Sequence, residues 1–168
     1  MKGRLFWKFG LVHLVLLLLV LLAVDTYVAF SLRREYLDAA FGQLQSLSHL
    51  AELRPPESAS GTALKEWTAW MAGTGMRVTL VAPDGKVLED SADDPLKMDS
   101  HAGRPEIKEA LEKGTGRAVR HSATIGHDLV YLAIRQPTRD GQPLIIRFSV
   151  PLHRLDEALT GFRRSLWA

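Results

Sequence analysis

An uncharged apolar segment near the N-terminus restricts the possible folds of this chain more than any other feature. Residues 9–24 read FGLVHLVLLLLVLLAV and contain no charged side chain. A helix needs about 20 apolar residues to cross the hydrocarbon core of a bilayer. Apolar and aromatic residues at 5–7 and 27–30 lengthen the segment on both sides, and the amine of Lys8 can extend to the headgroups. The sequence therefore predicts a transmembrane helix over residues 9–32, after a short tail of residues 1–8.

The charges that flank this segment predict its orientation. Lys2, Arg4 and Lys8 precede it, and basic flanks stay in the cytoplasm. A cleaved signal peptide has the same pattern, but it also needs small residues at a cleavage site. The candidate sites have Leu21 and Tyr27 at the position that should be small. We therefore predict an uncleaved signal anchor, with the tail in the cytoplasm and residue 33 onward outside the membrane.

Composition excludes several classes of protein. The chain has 168 residues, a formal net charge of +2 and no cysteine, so it has no disulfide framework and no zinc–thiolate site. An exported domain without disulfides fits the bacterial envelope, with the anchor in the inner membrane. Residues 33–168 hold 18 basic and 18 acidic side chains. Nucleic-acid binding is not expected, because it needs a basic patch or stripe.

Hydrophobic periodicity predicts two helices over residues 33–73, the membrane-proximal region. The first continues from the membrane segment to about Leu53 and ends before Pro55-Pro56, because proline cannot extend the helical hydrogen-bond ladder. We expect the side chain of Thr62 to cap the second helix. That helix should run to about Ala72, where Gly73 and Gly75 follow.

In residues 74–151, the patterns of strands and of a helix follow one another, as in a mixed α/β domain. Strands are predicted over 77–82 and 87–90, joined by the turn Pro83-Asp84-Gly85-Lys86, and a polar loop follows over 91–103. A helix is expected over 104–113, and three more strands over 116–124, 128–135 and 143–150. The order predicts an α+β fold in which a five-stranded antiparallel sheet has flanking helices.

The last segment, residues 152–168, has leucine and phenylalanine at steps of three and four. This spacing predicts an exit helix whose apolar face belongs either to the core or to a homodimer.

Several segments in this order resemble those of one family. Pro83-Asp84-Gly85 and the following Glu89-Asp90-Ser91 resemble the turn and strand end of PAS-like or Cache sensor domains. Residues 98–107, MDSHAGRPEI, resemble the "M-E-N-H-x-x-R-P-E-V" segment of phosphate-regulon-type sensor histidine kinases. Residues 122–131, SATIGHDLVY, are similar to their "S-x-T-x-x-x-D-L-x-Y" segment, and Val150-Pro-Leu152 to their closing strand.

This resemblance implies a fold, a function and partners. It implies a PAS/Cache-like sensor domain on a transmembrane anchor, acting as the signal-input region of a bacterial two-component histidine kinase that responds to phosphate. It implies a homodimer that senses either a small anionic ligand or an extracytoplasmic partner protein. A response regulator would be contacted only through a kinase core.

A kinase core is missing from the sequence given. No P-loop, nucleotide lid or phosphoacceptor motif is found, so these 168 residues should not catalyse phosphotransfer and should need no cofactor. The family would continue into a second span and an ATP-dependent protein-histidine kinase. We therefore expect a piece of a longer receptor. The sequence leaves open a chemoreceptor, a cyclic-dinucleotide enzyme and a free-standing anchored binding protein as alternatives.

Candidate ligand-binding residues lie in these motifs. The family places His101 and Arg104 where a loop enters a helix, and there they could hold an anion; alternatively, Arg104 pins the loop to the sheet. Tyr131 could line a central pocket or could be a core tyrosine. Asp128 could cap a turn or pair with Arg104 or Arg120, so Arg120 completes the candidate set. Three histidines and nearby carboxylates lack metal-ligand spacing, and no metal is expected.

Overall fold

The computed structural model describes the backbone of residues 2–122 and 127–152, and the side chains of residues 7–121 and 128–152. Its contacts divide the chain into one unit that ends at Leu37 and a second that begins at Asp38. The predicted exit helix, apart from Leu152, lies outside the described residues, as does the end of the predicted strand at Thr124.

The first unit consists of the N-terminal part of helix α1, Lys2–Leu53. This is the one helix in the described residues that is long and apolar enough to cross a membrane. The polar side chains inside it bond to its own backbone: Thr26 Oγ1 donates to Leu22 O at 2.7 Å, and His13 Nδ1 lies 2.8 Å from Phe9 O. Backbone partners of this kind let polar groups reside in an apolar segment. The predicted long apolar helix is therefore confirmed.

The second unit contains a five-stranded antiparallel sheet. Its strands are β1 (Arg77–Val81), β2 (Val87–Asp90), β3 (Thr115–Ser122), β4 (His127–Arg135) and β5 (Ile145–Pro151). They lie in the order β2-β1-β5-β4-β3. Helices α2 (Thr62–Ala72) and α3 (Pro105–Lys113) and a 3₁₀ turn, Pro95–Lys97, complete the unit. The predicted α+β fold class is confirmed.

The two faces of the sheet differ in chemistry. On one face, alternate positions of β1, β4 and β5 carry fully buried apolar side chains such as Leu80, Leu132 and Phe148. Helix α1 buries Ala40, Leu44 and Ala51, which recur at helical spacing and form its core face. Helix α2 contacts β1 and β2. This face therefore forms the main core of the second unit.

The start of α2 differs from the prediction. Gly61, with φ of +82°, occupies the N-cap position, and no side chain caps the helix. The prediction that Thr62 caps α2 was therefore wrong, because Thr62 is already the first helical residue. The helix is instead fastened through Trp67, whose indole Nε1 donates to Arg54 O at 2.7 Å and so ties α2 to the segment after α1.

Helix α3 lies on the opposite, more polar face. It begins at Pro105 and ends at Gly114, which has φ of +88°, as glycine after a helix commonly does. Ile107 and Ala110 pack with Val81, Ala133 and Ile145 in a second apolar cluster. The helix therefore covers the apolar part of this face and brings its N-terminus to the polar part.

Candidate ligand-binding cleft

A cleft of about 510 Å³ lies over the polar part of this second face. The strands line it with side chains that the register places on one side of the sheet: Arg77, Arg120, Leu129, Tyr131, Arg147 and Ser149. The segment between β2 and α3 supplies the facing wall with Asp93, Asp94, Lys97, Met98, Asp99 and His101. The volume of the cleft lies in the range of small-molecule sites, which is roughly 300–1,000 Å³.

Two guanidinium groups and one ring form the floor of the cleft. The carbon at the centre of the Arg120 guanidinium lies 4.2 Å from the centroid of the Tyr131 ring, and that of Arg147 lies 5.1 Å from it. Cations at such distances are attracted to the electron-rich face of an aromatic ring. Glu106, at the start of α3, is fully buried and has Oε1 3.5 Å from both Arg120 Nη2 and Arg147 Nη1. One carboxylate is thus shared by two cations.

A chain of hydrogen bonds connects Arg147 to the edge of the sheet. Arg147 Nη2 donates to Thr79 Oγ1 at 3.0 Å, and that hydroxyl donates to Asp90 Oδ2 at 2.6 Å. Arg77 Nε donates to the other oxygen of Asp90 at 3.1 Å. Burial lowers the pKa of Arg147, and the negative charge of Glu106 opposes that effect.

Asp90 also organises the start of the loop that forms the facing wall. Its Oδ1 accepts from the backbone nitrogens of Ala92 at 2.9 Å and of Asp93 at 3.0 Å. Arg77 Nη2 lies 2.6 Å from Asp93 Oδ2. The loop is therefore attached to β1 and β2 through charged groups at its first residues.

His101 attaches the other end of the loop. Its backbone nitrogen donates to Gly85 O at 2.8 Å, and its ring Nδ1 lies 2.9 Å from Asp99 O. The residue is only 6% exposed. Burial lowers the pKa of His101 below its usual 6.5, and the positive charge of Arg147 lowers it further. Both effects favour the neutral form of the His101 ring.

The structure brings most of the predicted site residues together. His101, Arg104, Arg120 and Tyr131 all line the cleft. Asp128 pairs with His121 across β3 and β4, next to the pair of Arg120 and Leu129. The Asp128 carboxylate lies 3.2 Å from His121 Nδ1. Whether these side chains bind a ligand stays a prediction.

Sequence reasoning missed Arg147, Ser149 and the buried role of Glu106. Arg147 and Ser149 alternate with the apolar residues of β5, a pattern that is typical of a solvent-facing strand side. They are only 4% and 3% exposed, because a loop remote in sequence covers their face. For Glu106, the sequence did hold a signal: the residue directly follows Pro105 at the start of a predicted helix, so it lies at the helix N-terminus.

Within residues 7–121 and 128–152, no group of three or more histidine, aspartate or glutamate side chains could hold a metal ion.

The order of the strands in the sheet and the helix before it define the class of fold, which is the α+β fold of Cache-type domains. No family model and no curated protein sequence matches the chain. Solved structures do match. The ligand-binding domain of an amino acid chemoreceptor of Pseudomonas aeruginosa, in complex with GABA, has a TM-score of 0.50 and 19% identity. The match covers 79% of this chain and 63% of that one.

Two further structures are similar at slightly lower scores. The extracellular domain of a candidate histidine kinase has a TM-score of 0.49 and 16% identity, over 82% of this chain and 58% of that one. The ligand-binding domain of a Campylobacter jejuni chemoreceptor, in complex with L-valine, has a TM-score of 0.48 and 16% identity, over 78% and 66%. At these identities the likeness concerns the fold. The likeness to the chemoreceptor domain with a TM-score of 0.50 confirms the predicted Cache-like fold.

Proposed function

We propose that this chain is the signal-input region of a membrane-anchored bacterial receptor, a sensor histidine kinase of the phosphate-regulon type. The observation that carries the proposal is the cleft. The segments whose sequences resemble that family supply its walls: His101 and Arg104 come from one segment and Tyr131 from another. A resemblance spread along the sequence therefore converges on one site in space.

The arrangement in the membrane follows from the sequence. In this proposal residues 9–32 anchor the protein in the inner membrane, residues 1–8 are cytoplasmic, and residue 33 onward is extracytoplasmic. Residues 152–168 lead to a second span, and the receptor acts as a homodimer that reaches its response regulator through a kinase core.

The signalling mechanism is a shift between two conformations. A small ligand in the cleft, or an extracytoplasmic partner protein, binds one arrangement of the sensor domain more tightly and so increases its population. Helix α1 includes both the candidate span and the residues buried in the second unit, Ala40 to Ala51. It is therefore the element that can pass such a shift toward the membrane.

A chemoreceptor is the second candidate. The fold of the amino acid chemoreceptor domain matches at a TM-score of 0.50, and fold does not determine the output domain. A chemoreceptor would share the anchor, the cleft and the conformational mechanism, and would differ only beyond the sensor domain.

The anchor can be tested with single cysteines, since the chain contains none. Lys86→Cys lies in the exposed turn between β1 and β2, and Lys2→Cys lies in the tail. In intact cells a membrane-impermeant maleimide should label Lys86→Cys and leave Lys2→Cys unlabelled until the membrane is permeabilised. The reverse pattern would overturn the proposed orientation.

The function can be tested with a chimera in which residues 1–168 replace the input region of a histidine kinase with a transcriptional reporter, the second span coming from that kinase. Inorganic phosphate and organic acids are added outside the cell, and the reporter is read. Arg120→Gln should change the response, whereas Arg139→Gln, an exposed arginine outside the cleft, should not. A response to organic acids without one to phosphate would overturn the phosphate assignment. A constant output with every added compound would overturn sensing of these small ligands by the cleft and would leave sensing through a partner protein.

A further inference from the structure

The 3₁₀ turn at Pro95–Lys97 presents a leucine to the solvent. Leu96 is 91% exposed, the highest value among the large apolar side chains that the structure describes in the second unit. The turn has a fixed shape, because Asp94 Oδ1 accepts from the backbone nitrogen of Leu96 at 3.0 Å and a proline begins it. A side chain on such a turn loses little conformational entropy when it binds. One exposed leucine needs no explanation by itself, so the surface that it fits decides the argument.

A small pocket lies elsewhere in the second unit, between the segment after α1, helix α2 and the connection from β4 to β5. Trp67 and Trp70 form its apolar part, with ring centroids 6.3 Å apart. The volume of the pocket is about 210 Å³. This is less than the roughly 300–1,000 Å³ of small-molecule sites and more than the roughly 150 Å³ that encloses a benzene molecule. The pocket therefore has room for one large apolar side chain.

The pocket also contains the residue types that dominate contacts between proteins. Trp70 is 38% exposed, and the central carbon of the Arg54 guanidinium lies 4.5 Å from the centroid of its ring. Tryptophan and arginine are the residues most enriched among those that carry the binding energy of protein interfaces. These features favour a protein side chain as the occupant of the pocket.

The pocket and the turn carry complementary charges. Arg54 and Glu66 line the pocket, and neither of them makes an ion pair with another residue in the described part of the chain. Asp94 precedes Leu96 and its proline, and Lys97 follows Leu96. The Asp94 and Lys97 side chains are largely exposed and lie 3.7 Å apart. Because an exposed pair of this kind contributes little free energy, both charges are available to another molecule.

We propose that Leu96 of one copy of this chain occupies the Trp67–Trp70 pocket of a second copy, with Asp94 next to Arg54 and Lys97 next to Glu66. Burial of Leu96 removes its apolar surface from water, and two opposite charges meet on either side of it. The two contacting surfaces differ, so the contact is heterologous. It goes beyond the signal-input function and does not rest on it, because neither surface includes the floor of the cleft.

Two single-cysteine variants test the contact, since the chain contains no cysteine. Leu96→Cys is placed in one full chain, and Ala63→Cys, which lines the pocket, is placed in another with a different tag. Both are expressed in the same cells, and the membranes are treated with a short bis-maleimide. A cross-link should join the two tags, and neither variant alone should form one. Lys86→Cys in place of Leu96→Cys is the control, and it should abolish the cross-link.

Charge reversal separates the proposed contact from accidental proximity. Glu66→Lys is added to the chain that carries Ala63→Cys, and Lys97→Glu is added to the chain that carries Leu96→Cys. Either change alone places like charges together and should lower the cross-linked fraction roughly fivefold or more. The two changes together restore an opposite pair and should restore the cross-link. A variant that merely damaged the fold would not be rescued by a change in the other chain.

The role of the leucine itself is tested without cysteines. Sedimentation of the full chain in detergent micelles gives the dissociation constant of self-association. Leu96→Ala should raise this constant by roughly tenfold or more. Val119→Ala, which shortens another exposed apolar side chain of the second unit, should leave it unchanged.

Several results would refute the contact. They are the absence of a cross-link between the two tags, a lack of rescue by the double charge reversal, and unchanged association of Leu96→Ala. A cross-link from Ala63→Cys to a different protein, with none to Leu96→Cys, would give the pocket another occupant and would refute it too. None of these results depends on the reporter response of the chimera, so the contact and the signal-input function can fail separately.

Discussion

Replacing Gly116 with alanine tests how closely α3 lies on the sheet. A Cβ at Gly116 would lie 2.0 Å from the backbone oxygen of Glu106 and 2.8 Å from the nitrogen of Ala110. Real Cβ contacts essentially never fall below 3.0 Å, so α3 would have to move by about 1 Å. Its neighbours are backbone atoms and cannot rotate away. Overpacking of this kind costs about 1–3 kcal/mol, and we expect Gly116→Ala at the upper end, about 3 kcal/mol.

The assay is urea unfolding of the full chain in detergent, followed by circular dichroism and tryptophan fluorescence. The midpoint should fall for Gly116→Ala without a change in the slope. Gly103→Ala is the matched control, because a Cβ there meets no atom within 4 Å, and it should be neutral or stabilising by up to about 1 kcal/mol. Equal midpoints for the two variants would refute the close contact between α3 and β3. Since α3 carries Glu106, Gly116→Ala should also alter ligand binding in the cleft.

Three further predictions concern single side chains. Because the pKa of His101 is lowered in the folded chain, the unfolded chain takes up a proton at a higher pH than the folded chain does. The free energy of unfolding should therefore decline as the pH falls below about 6.5. Urea midpoints measured over a range of pH should show a smaller decline for His101→Asn. Trp67→Phe removes the 2.7 Å hydrogen bond to Arg54 O and should lower the free energy of unfolding by about 1 kcal/mol; an unchanged urea midpoint would contradict this. Asp90→Asn removes the charge that Arg77 faces at 3.1 Å and should cost about 2 kcal/mol; amide hydrogen exchange should then accelerate in residues 91–103, and unaltered exchange would show that Asp90 does not hold the loop.

Local signals predicted most elements of the fold. The turn at Pro83–Lys86 could be predicted because its own residues favour a turn. Asp84 Oδ1 accepts from the backbone nitrogen of Lys86 at 2.9 Å, and Gly85 has φ of +88°. Proline at the start and glycine after the end marked α3 in the same way. Such features depend on a few neighbouring residues, so a single sequence is sufficient to find them.

The parts that the sequence could not predict depend on distant residues. Alternation in β5 showed that Arg147 and Ile146 face opposite sides, but not that a loop from before α3 would bury the arginine. The N-cap of α2 was misassigned because Gly61 and Thr62 both suit that position, and the backbone conformation selects between them. The cleft was anticipated through His101 because a family resemblance marked it, and through Tyr131 because its strand alternates.

The order of the strands has a consequence for how the domain folds during synthesis. The hairpin of β1 and β2 and the run from β3 to β5 are each local, but they join only where β1 pairs with β5. Thr79 and Arg147, which meet at this junction, are 68 residues apart. Closing so long a loop slows folding. The hairpin of β1 and β2 cannot pair with the rest of the sheet until β5 has left the ribosome. The α+β domain must therefore emerge almost completely before its sheet can form, and until then its apolar face remains exposed to chaperones and proteases.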